Sequence, residues 1–262
     1  MTEPHLLFSD GVHECYIFNN LVEGQGVQAN QFLIVDGRDY ALIDPGGDLT
    51  YNPLALEVSK KFELKQLKYV FASHQDPDII SSLDRWLLHT DCQVITSRLW
   101  SRFLPHLASG FVNKSLQGHV FDRIIAVPDE GMKIPFGNGD ISCLPAHFLH
   151  SVGNIQFYDP VSKILFSGDM GASMGNEKDA LVVSDFTEHI PKMLGFHRRY
   201  MCSRKISALW ANMVRKLDVE IIAPQHGPMF KGKENINLFL DWISQLECGI
   251  DLMTEQNYQL PL

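Results

Sequence analysis

Short apolar runs separated by polar turns dominate the first third of the chain. Residues 12–18 alternate loosely, and 32–35 and 40–43 are apolar runs flanking Asp36-Gly37-Arg38-Asp39. Two such runs around a polar break that contains glycine predict a β-hairpin. Asp44-Pro45-Gly46-Gly47 then forms a tight loop, and over 54–62 the spacing turns helical, with Leu54, Val58 and Phe62 on one face. Residues 68–72 read as a strand ending at Ser73-His74-Gln75-Asp76-Pro77-Asp78. Residues 79–89 read as a helix with Asp78 at the N-cap, and 94–95 as a short strand.

A second group of strands follows a helix-and-loop stretch over 103–118. Its members are 121–127, 132–134, 141–145, and the pair 155–158 and 164–167 around the turn at 159–162. Residues 203–217 carry apolar side chains at helical spacing (Ile206, Leu209, Trp210, Met213, Leu217). A strand over 219–223 runs into Pro224-Gln225-His226-Gly227, and 234–246 reads as a closing helix. Strands in two groups with helices between and after them predict an α/β fold of two mixed sheets covered by helices. No Pro-, Gly- or Ser-rich linker interrupts the 262 residues, so 1–262 reads as one domain, with room for two similar halves.

Composition narrows the function. The 22 Lys+Arg against 31 Asp+Glu leave a net charge of −9, which disfavours nucleic acid or an anionic membrane as the main partner. The one basic cluster, Arg198-Arg199 with Arg204-Lys205, reads as a solvated helix face. Five scattered cysteines form no CxxC pair, which fits a reducing compartment and excludes an iron–sulfur site built within the chain. The N-terminus lacks the basic-then-apolar pattern of a signal peptide, and no apolar stretch is long enough to span a bilayer. A soluble cytoplasmic protein is expected.

The chemistry collects just after strands. His74, Asp76 and Asp78 follow one strand, His147 and His150 another, Asp169 a third and His226 a fourth. Strand ends at one sheet edge can converge on one cleft. That many imidazoles and carboxylates are enough for two metal ions. Asp169 suits a bridge, because a carboxylate offers two oxygens where an imidazole offers one free nitrogen, and closely spaced cations need a shared anion.

The motifs Asp44-Pro45-Gly46, Ser73-His74-Gln75-Asp76-Pro77-Asp78, His150-Ser151-Val152-Gly153, Phe166-Ser167-Gly168-Asp169 and Pro224-Gln225-His226-Gly227 together resemble the metallo-β-lactamase superfamily. The resemblance covers nearly the whole chain and implies an αββα sandwich with a binuclear site at one edge. It implies His74, Asp76 and His150 on one metal, Asp78 and His226 on the other, and Asp169 between them. Superfamily hydrolases usually carry histidine where this chain has Asp76, whereas flavodiiron reductases carry a glutamate. A carboxylate there shifts preference from zinc toward iron or manganese. The chain is thus most similar to stand-alone, flavodiiron-like, oxygen-binding diiron proteins, some linked to chemotaxis. A second departure is Ile79, where the superfamily usually has a metal-binding histidine.

The resemblance implies a non-haem diiron protein, holding two iron ions (zinc or manganese as alternatives), that binds dioxygen and can reduce or sense it. The alternative is a metal-dependent hydrolase of ester, thioester, lactone or phosphodiester bonds, with Asp78 orienting the attacking hydroxide. Sequence alone leaves turnover against binding open. The chain lacks a dinucleotide fingerprint and is expected to bind no flavin, so reduction needs an external electron donor, and sensing needs a signalling partner. Tyr158, Tyr200 and His147 are candidates to hydrogen-bond a bound oxygen or orient a ligand. Asp44 is expected to be a buried structural carboxylate. His13, His89 and His106 read as surface or helix residues. His189 and His197 fall in a polar segment between Asp179 and Arg204, read as a lid or a contact between two copies.

Overall fold

A computed structural model describes residues 3–116, 120–174 and 180–261. The first sheet holds β1 (His5–Ser9), β2 (His13–Phe18), β3 (Gln31–Asp36), β4 (Asp39–Ile43), β5 (Leu67–Phe71), β6 (Gln93–Ser97) and β7 (Ile124–Val127), in that spatial order. Pairing is antiparallel from β1 to β4 and parallel from β4 to β7. The second sheet holds β8 (Met132–Phe136), β9 (Gly139–Pro145), β10 (Ile155–Asp159), β11 (Ile164–Phe166), β12 (Ile221–Ala223) and β13 (Phe230–Lys231). There only the β11–β12 pair is parallel. Among the described residues no helix is long and apolar enough to cross a membrane.

Side-chain alternation sorts the apolar residues into three layers. On β3, Phe32 and Ile34 face the other sheet while Leu33 and Val35 face helices, so the strand is buried on both sides. Phe71 meets Phe157 at 4.9 Å and Phe32 meets Phe166 at 5.0 Å between the sheets. Such ring pairs add about 0.5–1.5 kcal/mol each beyond their area burial. The outer face of the first sheet is covered by α1 (Asp48–Lys61), α2 (Pro77–Ile80) and α3 (Leu83–His89). Two shorter helices, α4 (Arg98–Ser101) and α5 (Gly110–Ser115), follow. The outer face of the second sheet lies under α6 (Phe186–Tyr200), α7 (Arg204–Val214) and α8 (Lys233–Gln245). The result is the αββα sandwich.

Local differences from the expected elements have physical causes. The single helix expected over 79–89 is two, because Ser82 Oγ donates to the carbonyls of Pro45 (3.0 Å) and Gly46 (2.8 Å) at the junction. Pro77 takes the first helical position, so the N-cap is Asp76 and not Asp78. Asp76 makes no capping bond, which leaves its carboxylate free for other chemistry. Within the segment read as a lid or a contact between two copies, residues 186–200 form the packed helix α6, with His189 and His197 buried; Asp179 lies outside the described residues. The final residues of the helix-and-loop stretch, 117 and 118, also lie outside them.

His13 also departs from its surface reading. It is 3% exposed, with Nδ1 at 2.9 Å from Asp36 and Nε2 at 2.8 Å from Asp159. Asp36 ends β3 and Asp159 ends β10, so this ionic triad clasps the two sheets. Burial works against the His13 cation, yet the Asp159 and Asp36 carboxylates outweigh it and raise the pKa. Burial likewise opposes the Asp159 anion, yet His13 and Ser162 hold its pKa low. The raised histidine stabilises the fold fully below its unfolded pKa of about 6.5 and loses that contribution as pH rises through the folded value. The depressed aspartate contributes above about pH 4 and loses its contribution as pH falls through the folded value. His13→Gln leaves two buried carboxylates without a cation, so urea unfolding at pH 6 should show a loss of about 3–5 kcal/mol. The gap to the parent protein should narrow as pH rises above about 6.5 and through the raised folded value of His13.

Candidate metal centre

The polar residues after β5, β9, β11 and β12 meet at one edge of the sandwich. Their loops are tied together beneath the cleft. Asp44, after β4, is buried and accepts from Ser73 N–H at 2.8 Å, and Gln225 Nε2 donates to its other oxygen. Burial pushes the Asp44 carboxyl up to about 6 despite those bonds and the nearby His74. Ser73 Oγ also accepts from Gln225 Nε2 at 3.1 Å and lies 2.9 Å from His74 Nδ1. With Nδ1 as donor to that hydroxyl, Nε2 of His74 is left as a lone pair aimed into the cleft.

The other loops are held as firmly. Asn30 Nδ2 donates to the carbonyls of Pro224 and Gly227, both at 2.9 Å, and His226 Nδ1 lies 2.6 Å from the Gln28 carbonyl, fixing its Nε2 as the free nitrogen. Gly227 sits at φ +81°, and a Cβ there would fall 2.1 Å from Ser173 Oγ, so only glycine fits this turn. Trp100 Nε1 donates to Ser151 Oγ (3.1 Å), Ser151 Oγ donates to Gln75 Oε1 (2.6 Å), and Gln75 Nε2 donates to Asp76 Oδ1 (3.1 Å). That relay turns Asp76 Oδ2 inward.

Asp76 Oδ2 lies 3.2 Å from His150 Nε2 and 3.8 Å from His74 Nε2. Asp169 Oδ2 lies 2.9 Å from His150 Nε2 and 3.6 Å from His74 Nε2. His74, Asp76, His150 and Asp169 present ligand atoms that all lie within 4.8 Å of one another, an arrangement able to hold a metal ion. The other oxygen of Asp169, Oδ1, faces His226 Nε2 at 3.5 Å, and His226 Nε2 is 3.5 Å from Asp78 Oδ2. One carboxylate thus faces two groups of donors.

The donors fit metal. His74 Nε2, His150 Nε2 and Asp169 Oδ1 are buried and make no well-aligned hydrogen bond, meeting one another only as charged neighbours across the cleft. Buried polar atoms are rarely left so unless an ion or a water completes them. All donors are nitrogen or oxygen, which favours harder divalent ions over thiophilic ones.

Residues 27–227 match the family model described as ODP family beta lactamase. The chain belongs to this family. A solved structure of the chemotaxis sensor ODP, described as a peroxy diiron species, is 37% identical at a TM-score of 0.84 and covers 98% of this chain and 100% of that one. The apo state of the chemotaxis sensor ODP from T. denticola is 36% identical at the same TM-score of 0.84, covering 98% of this chain and 99% of that one. An uncharacterized protein of Methanocaldococcus jannaschii is 27% identical over 222 residues, 83% of this chain. The chain spans about half, 53%, of that relative's length.

In this ODP family chain the residues singled out in the sequence have separate fates. His74, Asp76, Asp78, His150, Asp169 and His226 are brought to one cleft. Tyr200 stands at its wall, ring centroid 5.4 Å from that of His150, stacked on Phe196 at 4.7 Å. Tyr158 is a correction: its hydroxyl donates to the Asp218 carbonyl at 3.0 Å, engaged at the end of β10 away from the cleft. His147 Nε2 lies 2.9 Å from the Asp129 carbonyl, a loop tether. Ile79 is 1% exposed and packs in the helix-side core, contributing no ligand atom. Gln75 and Gln225, unremarked inside their motifs, are orienting groups. Trp100 carried no sequence signal, because its partner Ser151 is distant in sequence.

The carboxylates and imidazoles of the cleft hold one another charged. Burial disfavours the His150 cation, but the Asp169 and Asp76 carboxylates beside it prevail and push its pKa up to about 10. Against the same burial, the neighbouring carboxylates raise His74. Asp76 and Asp169 are lowered because the imidazoles outweigh their own desolvation. Metal must displace those histidine protons, so affinity should rise with pH. Calorimetric titration of metal-free protein at pH 7 in buffers of differing ionisation enthalpy should show release of about one to two protons. Uptake without proton release would contradict this geometry.

Proposed function

We propose that this chain is a non-haem diiron protein that binds dioxygen and reports its presence. The observation that carries the reading is the placement of Asp169, whose two oxygens face two separate donor groups. His74, Asp76 and His150 are the proposed ligands of one iron, Asp78 and His226 those of the other, and Asp169 their bridge. Two ferrous ions would supply the electrons for oxygen chemistry. The chain's own residues do the rest. Asp76, in place of an imidazole, makes the site oxygen-rich and favours iron over zinc. Isoleucine at position 79 leaves the second ion with three protein ligands, an open site of the kind a metal that accepts an exogenous ligand requires. Phe196 and Tyr200 wall the His150 side, and Tyr200 is the proposed hydrogen-bond donor toward what binds there.

Binding and signalling are favoured over fast turnover because full reduction of dioxygen to water needs more electrons than two ferrous ions hold. The remainder would come from a separate flavin or iron–sulfur partner; for sensing, the partner is a signalling protein. The resemblance to a chemotaxis sensor supports that second role. We assign the chain to the cytoplasm and treat it as one domain whose halves each supply part of the centre.

Protein purified without oxygen and loaded with ferrous iron should hold about two irons per chain and, on mixing with oxygen, develop a long-lived visible absorption band. Two equivalents of zinc, esterase activity and no spectral change would replace this reading with the hydrolase one.

A further inference from the structure

His197 lies outside every motif, yet it is fully buried in α6. Its Nδ1 is 2.9 Å from the carbonyl of Met193, one turn earlier in the same helix. A carbonyl only accepts, so Nδ1 carries the hydrogen and Nε2 is a bare lone pair. That lone pair accepts the Gly171 backbone N–H at 3.0 Å. Trp242 and Phe239 of α8 pack around the ring, with centroids 5.4 and 6.3 Å away, and hold it in this orientation. Burial pushes the imidazole down to about 4, which keeps it neutral at ordinary pH.

Gly171 closes the turn that presents Asp169. In that turn Met170 N–H donates to Ser167 O at 3.0 Å, Ala172 N–H donates to Asp169 O at 3.1 Å, and Ser167 Oγ donates to Met170 O at 2.7 Å. Gly171 is at φ +97°, and a Cβ there would lie 2.7 Å from the Phe230 ring. Only glycine fits there, and its buried amide needs an acceptor. A bridging carboxylate tolerates displacement of about 0.5 Å before one of its oxygens falls out of reach.

We propose that His197 is a positioning residue for the bridging carboxylate: it anchors the Gly171 amide from α6 and so fixes the turn that aims Asp169 at both donor groups. The same helix carries Phe196 and Tyr200 against His150, so α6 references two sides of the centre to one rigid element. The inference rests on the two-metal reading above.

The test compares parent protein, His197→Gln and His197→Phe by anaerobic ferrous-ion titration, with amide hydrogen exchange at Gly171 in the metal-free proteins. Gln offers Oε1 to the Gly171 amide; Phe fills space without an acceptor. The expected result for His197→Phe is a cooperative melt, faster Gly171 exchange and a second iron equivalent weakened about 10–100-fold, with His197→Gln recovering most of both losses. Should His197→Phe fail to fold, the parent and His197→Gln still decide the matter: Gly171 must be protected in both. An unprotected Gly171 in the parent, unchanged exchange in His197→Phe, or equal iron losses in the two variants would overturn the assignment. A parent protein that takes up no second iron while Gly171 follows the expected exchange pattern would instead sink the two-metal reading and leave the anchor in place.

Discussion

Two cations a few ångströms apart repel each other strongly in a site with little water, and an anion between them is the direct remedy. The carboxylate proposed for that place is Asp169, 3% exposed. A carboxylate buried so far from water is costly unless cations surround it. Without metal the imidazoles of His150 and His74 fill that role, holding its pKa down against burial. Metal ions would replace those protons. Everything else at this edge keeps the donors aimed at that carboxylate from both sides.

The aiming is done by neutral groups more than by charges. Ser73, Gln225, Gln28 and Asn30 satisfy the outward atoms of the ligand loops, so that the inward atoms have no alternative partner. Gln75 and Ser151 join Asp76 to the His150 loop through one short relay. The first sheet delivers His74, Asp76 and Asp78, and the second delivers His150, Asp169 and His226. The centre therefore depends on how the two sheets face each other, which the inter-sheet phenylalanines and the distant His13 clasp maintain.

Much of this was legible in the sequence, because apolar alternation reports strands, and polar residues that break off an apolar run report strand ends. The six proposed donors all fall at such points, and so does the sandwich itself. Buried polar residues within elements were not legible. His13 sits 23 residues from Asp36 and 146 from Asp159, so nothing near it announces an ionic partner. His197 occupies a helix whose sequence is rich in charge on its outer face, and its partner is a backbone amide, which has no sequence signature. Tyr158 shows the converse: one step from a polar turn it looks like a site residue, but its hydroxyl is engaged by the Asp218 carbonyl at the far end of β10.

The central claim is that Asp169 bridges two ions. Crystals of the anaerobic ferrous protein, measured at and below the iron absorption edge, test it directly. The account predicts two anomalous peaks about 3.5–4 Å apart, one on the Oδ2 side of Asp169 among His74, Asp76 and His150, the other on the Oδ1 side beside Asp78 and His226. A single peak, or two peaks that do not share Asp169, would contradict it.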